Sequence, residues 1–256
     1  MFAIFWSLLK TDLYLFKKTI KDKFINCAIW VVATLIVTGY VLQSQGVSSS
    51  FGLFQAGSLI VSVSWFELYA QTFLFINDLE GVRHISYQLT LPIPSWLLYL
   101  KHATFFFINM MFLSLLVVPL VKLVLLNGVL FSEFNWPLLM ISIFCSGLFF
   151  SFFTLFLTSI IPSMGHVENI MMRILFPMWH FGCFQFSWQS AYAISKALGF
   201  FVLLSPYTYA TESVRSAMMG QAGFISPWIC LPVLFLMTAI FGFWGYRNLK
   251  NRLDFV

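Results

Sequence analysis

The sequence is poor in charged residues. Asp, Glu, Lys and Arg together make up 9% of its 256 residues, while 60% of the residues are hydrophobic. Soluble domains carry about a quarter charged and about half apolar residues, so this composition excludes an ordinary soluble domain. Much of the protein surface must therefore contact lipid instead of water.

Motifs that support chemistry are also lacking. The chain has no Gly-x-x-x-x-Gly-Lys-Ser/Thr loop to hold phosphates, no His-Glu-x-x-His pattern and no serine nucleophile elbow. Its four cysteines include no Cys-x-x-Cys pair, and we interpret them as apolar packing residues. His166 and Glu168 precede His180 by about 18 to 21 Å of helix, too far to share one ion. The sequence thus predicts no catalytic residue, metal or cofactor on this chain, with an intramembrane enzyme as a remote alternative.

Long apolar runs dominate what is present. A helix needs roughly 20 apolar residues to cross a bilayer. Six windows approach that length: Phe24–Gln43, Gly52–Ile76, Ala103–Leu126, Pro137–Ile161, Ile170–Trp188 and Ser226–Tyr246. The runs are continuous instead of alternating, which favours helices over a β-barrel. We predict an all-α integral membrane protein, a single domain over residues 1–256 with six transmembrane helices.

The basic residues predict the orientation. Eleven of the 14 Lys and Arg residues fall in the N-terminal segment, the second and fourth connections and the C-terminal tail. Only Lys122, Lys196 and Arg215 fall on the opposite side. The positive-inside rule then places both termini in the cytoplasm. The net charge of +5 reflects this topology, and we expect no nucleic-acid partner.

Three segments outside the spans have distinctive patterns. Residues 1–23 carry apolar side chains at steps of three and four from Phe2 to Ile20, which predicts an amphipathic helix in the membrane interface. The cytoplasmic connection 77–102 contains Pro92 and Pro94 between short apolar stretches, which predicts a small surface helix facing a partner. The external connection 189–223 has an apolar run broken by Pro206, too short to span, which predicts a re-entrant helical hairpin.

These three segments resemble the membrane subunit of a type-2 ABC exporter. The N-terminal helix stands where that family has its elbow helix. Glu80–Gly81 and then LTLPIPSWLLYLKH, Leu89–His102, resemble the family's coupling-helix pattern Glu-Gly-Thr…Leu…Thr-Pro-x-Ser…Lys, although Val82 replaces the Thr. Ser205–Gly220 resembles the signature Asn-Pro-Leu-Thr-Tyr-x-x-Glu-x-x-Arg before the last span. The residues in register with it are Pro206, Thr208, Tyr209, Glu212 and Arg215.

The resemblance implies a multi-pass permease of a bacterial cytoplasmic membrane, driven by a separate nucleotide-binding subunit. Two ATPase copies, which hold ATP and Mg²⁺, would join two copies of this chain about a two-fold axis. The residues expected to couple to the ATPase are Glu80, Gly81, Arg83, Leu91, Pro92, Pro94 and Ser95. ATP-driven closure would push on this segment and tilt the spans into alternating access. The alternative is an ion-gradient-driven transporter or channel, which needs no such partner.

Several residues inside the membrane invite a role. Glu67 lies in the second span, where a charge costs at least about 2.5 kcal/mol unless paired or hydrated, so it should face the protein interior or a cavity. Glu212 and Arg215 are three residues apart and can form an ion pair that fixes the re-entrant segment. Glu67, Phe176, Trp179 and His180 are the candidates for a translocation path. The aromatic, weakly charged spans favour an amphipathic substrate such as a lipid, a lipid-linked glycan or a hydrophobic drug, with a hydrophilic polymer left open.

Overall fold

The computed structural model is all-helical throughout the residues it describes, which are 2–81, 84–89, 93–125 and 131–254. The first half contains α1 (Phe2–Ile36), α2 (Leu42–Ser44), α3 (Phe51–Glu80), α4 (His84–Leu89) and α5 (Ser95–Leu125). The second half contains α6 (Trp136–Ile160), α7 (Met164–Ile170), α8 (Phe176–His180), α9 (Trp188–Ile194), α10 (Lys196–Val202), α11 (Pro206–Met219) and α12 (Pro227–Asp254). The π-helical segments Val37–Val41 and Met171–Leu175 join α1 to α2 and α7 to α8.

Within the described ranges, five helices are long and apolar enough to cross a membrane. They are Ile4–Ser44, Phe51–Glu80, Ser95–Leu125, Trp136–Ile160 and Pro227–Arg252. These helices match the first four predicted windows and the sixth. They confirm the predicted all-helical class and indicate a multi-pass membrane protein.

The fifth predicted window, Ile170–Trp188, is not one long helix. The helical run ends at His180, and the chain turns before α9 begins at Trp188. Cys183 has a φ of 66°, a conformation that an α-helix cannot contain. Side chains of α11 replace the lost backbone bonds, because Thr211 donates to the Gly182 carbonyl at 3.2 Å and Arg215 donates to the Phe184 carbonyl at 2.9 Å. The prediction of an unbroken fifth span was therefore wrong.

The N-terminal segment also differs from the prediction. α1 continues without a break past residue 23, so the predicted interfacial helix over residues 1–23 is not a separate element. No Gly or Pro precedes Gly39 to end the helix. Its first half also packs on α5, where the Phe16 ring meets those of Phe105 and Phe112 edge-on at 6.4 and 5.9 Å. The 41 residues of Ile4–Ser44 extend about 60 Å, twice the thickness of the hydrocarbon layer.

Helices α6 and α12 lie side by side and run in the same direction. Near their C-terminal ends, Arg252 donates to the carbonyls of Thr158 and Ile161, both at 2.6 Å. Closer to the N-terminal ends of both helices, the ring of Phe241 in α12 meets those of Phe153 and Phe156 in α6 at 5.1 and 4.9 Å. Because the two helices are parallel, the chain between them returns from the end of α6 to the level of its beginning.

Contacts with α3 mark the course of this return. The backbone amide of Met164 donates to Glu80 at the end of α3, and the indole of Trp179 donates to Ser62 in its middle. Arg215 then joins the Phe186 carbonyl to that of Phe54 in the first turn of α3. Residues 164–186 therefore follow α3 along nearly its whole length.

Candidate functional site

The connection between α3 and α5 contains the predicted short helix. α4 begins at His84, and the Asp78 carboxylate accepts hydrogen bonds from the backbone amides of His84 and Ile85 at 3.2 and 2.8 Å. A carboxylate at this position satisfies the free amides of the first helical turn and favours the helix. The described part of this connection therefore contains a short helix, α4, which lies before Pro92 and Pro94 in the sequence.

The structure describes some of the expected coupling residues and not others. Arg83, Leu91 and Pro92 lie outside the described residues. Glu80 uses its carboxylate to hold the start of α7, and Gly81 closes α3 with its amide bonded to the Asn77 carbonyl at 2.9 Å. Pro94 precedes the first residue of α5, Ser95, whose hydroxyl lies 3.3 Å from that of Tyr246. Glu80 is thus tied to α7, and Ser95 to α12.

Lys101 links this connection to two membrane helices. Its side chain is only 1% exposed, and its ammonium group lies 2.5 Å from the Asp12 carboxylate in α1 and 3.2 Å from the Gln88 side-chain oxygen in α4. The Gln88 side-chain nitrogen in turn lies 2.8 Å from the His84 ring. Sequence analysis counted Lys101 only as a cytoplasmic charge. Its spacing of three residues from the buried Leu98 was the available signal that it shares that buried face.

Exposed side chains surround α4. Tyr87 is 64% exposed and Trp96 is 47% exposed, and His84 is also exposed. We call His84, Tyr87 and Trp96 the α4 surface. Large exposed aromatic residues are typical of protein and membrane contact sites. The family pattern drew attention to the charges and prolines of this connection and did not single out these residues.

Glu67 lies in a buried polar cluster at the edge of a cleft. Lys23 of α1 and Gln71 both donate to its Oε1 atom, and Lys23 also lies 3.3 Å from the side-chain oxygen of Asn109 in α5. The cleft has a volume of about 470 Å³. It is lined by Lys23, Asn26, Cys27, Trp30, Val63, Phe66, Glu67, Ala70 and Leu113. The expectation that Glu67 faces the protein interior or a cavity is confirmed, whereas its partner Lys23 was not foreseen.

The aromatic members of the predicted path lie together. The Trp179 ring meets those of Phe176 and His180 at 5.6 and 4.5 Å. It also meets Phe66, the neighbour of Glu67 in α3, at 5.2 Å. The structure thus brings Phe176, Trp179 and His180 into one cluster, and Phe66 joins that cluster to the Glu67 cleft.

Glu212 and Arg215 form the predicted ion pair, with 3.6 Å between charged atoms and both side chains fully buried. The Arg215 guanidinium donates to the carbonyls of Phe54, Phe184 and Phe186 and lies 3.5 Å from the centre of the Phe54 ring. The Glu212 carboxylate accepts from the backbone amides of Trp188 and Ile225 at 3.2 and 3.0 Å. These bonds tie α11 to α3, to the turn between α8 and α9, and to the turn before α12. The pair therefore has a structural role.

The other signature residues of α11 are structural as well. Pro206 occupies the first helical position, where its missing amide costs nothing. Thr208 is fully buried and donates to the Val202 carbonyl at 2.7 Å, which fastens α11 to α10. Tyr209 is partly buried against the main core.

In the part of the chain that the structure describes, no group of three His, Cys, Asp or Glu side chains is placed to hold a metal. His166 pairs instead with the Ser163 hydroxyl at 2.8 Å, and His180 lies 3.2 Å from the Phe176 carbonyl. The chain matches no known family model, and no curated protein has a significantly similar sequence.

Proposed function

We propose that this chain is the permease subunit of an ATP-driven exporter in a bacterial cytoplasmic membrane. A separate nucleotide-binding subunit would bind the α4 surface, and a second copy of the permease would complete the translocation unit. The observation that carries the proposal is the buried Lys101, which bonds to α4 and to α1 from its own position in α5. A push on α4 would therefore reach two membrane helices at once, which is the physical requirement for coupling ATP binding to helix movement.

The proposed topology has six crossings, with both termini in the cytoplasm. The fifth crossing, which comes before the crossing by α12, is made by residues 164–187 and is a broken path instead of one long helix. Its supports are the parallel α6 and α12 and the contacts of residues 164–186 along α3. Irregular backbone at membrane depth is tolerated where protein side chains satisfy its polar groups, as Thr211 and Arg215 do here.

We further propose that α9 to α11 form the re-entrant segment on the external side. The Tyr207 hydroxyl, at the start of α11, donates to the Ser58 carbonyl at 3.1 Å, well inside α3. At the other end of α11, the Ala217 carbonyl accepts from the Asn135 amide at 2.9 Å, just before α6 begins. The chain thus enters as far as Ser58 and comes out again without crossing.

The substrate would be amphipathic: a lipid, a lipid-linked glycan or a hydrophobic drug. Alternating access would expose the aromatic cluster around Trp179 first to one side of the membrane and then to the other. Aromatic rings offer such a substrate apolar contact without requiring the loss of a hydrogen bond.

An ion-gradient-driven transporter is the second candidate. The observation that favours it is the ion pair between Lys23 and the buried Glu67, because ionisable residues within membrane spans often take part in ion or proton pathways. Such a transporter would need no ATPase and would move substrate in response to a proton or sodium gradient.

The test is to purify the tagged chain from its native membrane in mild detergent and to label the preparation with a photoreactive ATP analogue. We expect ATP hydrolysis in the complex and the label on a second polypeptide, because this chain has no phosphate-binding loop. The same chain expressed and purified alone should hydrolyse no ATP. Hydrolysis by the pure chain, or gradient-driven transport without nucleotide in vesicles containing only this chain, would overturn the proposal.

A further inference from the structure

The cleft beside Glu67 has the size and lining of a ligand site. Its volume of about 470 Å³ lies within the range of roughly 300 to 1,000 Å³ that is usual for small-molecule pockets. The rings of Trp30 and Phe66 meet edge-to-face at 5.2 Å between centroids, and Val63, Ala70 and Leu113 complete an apolar wall. A single acidic side chain, Glu67, stands among these residues.

The Glu67 carboxylate has an unused acceptor. Lys23 and Gln71 both bond to Oε1, and no described residue donates a hydrogen bond to Oε2. Glu67 is 8% exposed and lines the cleft, so Oε2 is the oxygen left to meet a ligand there. A ligand in the cleft that carries a positive charge could meet Oε2 without displacing either existing bond.

Lys23 can also accommodate a second cation. Its side chain is 22% exposed, and its ammonium lies within 3.3 Å of the Asn109 oxygen and 5.5 Å of the Phe16 ring centre. These contacts give the ammonium an alternative position when a ligand shares the carboxylate. Lys23 therefore does not block the cleft to cations.

We propose that this cleft, between α1, α3 and α5, binds hydrophobic organic cations. The carboxylate attracts the positive charge in an environment of low dielectric constant, and the faces of Trp30 and Phe66 add cation–π attraction. An anion of the same shape gains neither attraction, and the ammonium of Lys23, the basic group in the cleft lining, is already bonded to Glu67 and Asn109. The binding site stands by itself, whereas the identification of its occupant as the transported substrate rests on the proposed function.

The test compares two ions of the same shape and opposite charge. The full chain is reconstituted in nanodiscs of neutral lipid, and empty nanodiscs give the background for partition into lipid. We expect radiolabelled tetraphenylphosphonium to bind saturably and tetraphenylborate not to bind above background. Equal saturable binding of both ions would instead describe an apolar slot for acyl chains and would overturn the proposal.

Two substitutions test the residues. Glu67→Gln keeps the size of the side chain and removes the charge, and should weaken tetraphenylphosphonium binding at least about tenfold. Trp30→Leu keeps the carboxylate and should weaken binding by about threefold to tenfold. The matched control is Glu133→Gln, which alters an exposed acidic residue far from the cleft in sequence. Unchanged binding in the Glu67 variant contradicts the proposal.

Cys27 offers a readout that does not depend on these variants, because its thiol lines the cleft. Bound tetraphenylphosphonium should slow maleimide modification of Cys27 in the unaltered chain, as measured by mass spectrometry. Cys145 of α6, also partly exposed, should react at the same rate with and without the ion. No protection of Cys27 at saturating ion contradicts the site. These measurements use the chain without an ATPase. A negative result would therefore refute the binding site and leave the exporter proposal untouched.

Discussion

The ammonium group of Lys101 in α5 lies 2.5 Å from the carboxylate of Asp12 in α1, and the Lys101 side chain is buried to 99%. A buried cation is tolerated only when its partners are held in place, so this pair fixes the first half of α1 against α5. The bond from Lys101 to Gln88 extends the same constraint to α4.

Breaking this pair from either side should have unequal effects. Asp12→Asn leaves Lys101 as a buried charge and should destabilise the protein by about 3 to 5 kcal/mol. Lys101→Met leaves Asp12, which is 13% exposed and closer to water, and should destabilise it less. Thermal unfolding in detergent measures both effects, with the exposed Asp22→Asn in the same helix as control. Equal stability of Asp12→Asn and the parent chain would refute the constraint.

Arg215 should not tolerate replacement by lysine. The guanidinium donates in several directions at once, to carbonyls of three residues and to the Ser58 hydroxyl, and an ammonium group cannot reproduce that planar fork. We expect Arg215→Lys to lower stability by about 3 kcal/mol. Arg173→Lys changes an exposed arginine and serves as control. Similar melting temperatures for the two variants would show that the bonds of Arg215 contribute little.

The contact between α12 and α6 should depend on Gly245. A Cβ atom there would lie 3.0 Å from the backbone of Phe156 and 2.7 Å from the Tyr99 hydroxyl, so the helices would have to move apart. Gly245→Ala should therefore lower the melting temperature. Gly165→Ala is the matched control, because a Cβ there meets nothing within 4 Å and alanine favours a helix. Loss of stability in the control alone would contradict the close packing.

If residues 164–187 form the fifth crossing, their two ends should be labelled from opposite sides of the membrane. Ser190→Cys should react with a membrane-impermeant maleimide added to intact cells, and His166→Cys should react only after permeabilisation. Both positions are exposed, so accessibility within the protein does not decide the result. Ser48→Cys, in the turn between α2 and α3 that the proposed topology places outside the cell, is the positive control. The parent chain gives the background from native cysteines. Labelling of positions 166 and 190 from the same side would exclude a crossing by residues 164–187.

The long spans could be predicted from the sequence because apolar length alone distinguishes them. The same criterion failed at Ile170–Trp188, where the apolar run is long enough but the chain turns at Cys183. That turn is stabilised by Thr211 and Arg215, which are distant in sequence, so no local pattern could reveal it. The separate interfacial helix failed for a related reason, since amphipathic spacing cannot tell a surface helix from one that packs on α5.

Ion pairs within one helix could be predicted from the sequence, whereas ion pairs between helices could not. The pairing of Glu212 with Arg215 was predictable because helical spacing brings residues three apart together. The pairs of Lys23 with Glu67 and Lys101 with Asp12 join different helices, and sequence analysis assigned both lysines to the solvated cytoplasmic side. A lysine near the end of a span can set the topology and also pair with a residue of another helix. The sequence does not show which lysines do the second, because that depends on how α1 packs against α3 and α5.

The proposed exporter requires a separate ATPase that binds the α4 surface. A photo-crosslinking amino acid in place of Tyr87, which is 64% exposed, tests it directly in native membranes. We expect an adduct with a nucleotide-binding protein from position 87 and none from the matched position Tyr192, which is also exposed and which the proposed topology places outside the cell. If the adduct is absent at position 87, or forms equally at position 192, no ATPase binds the α4 surface.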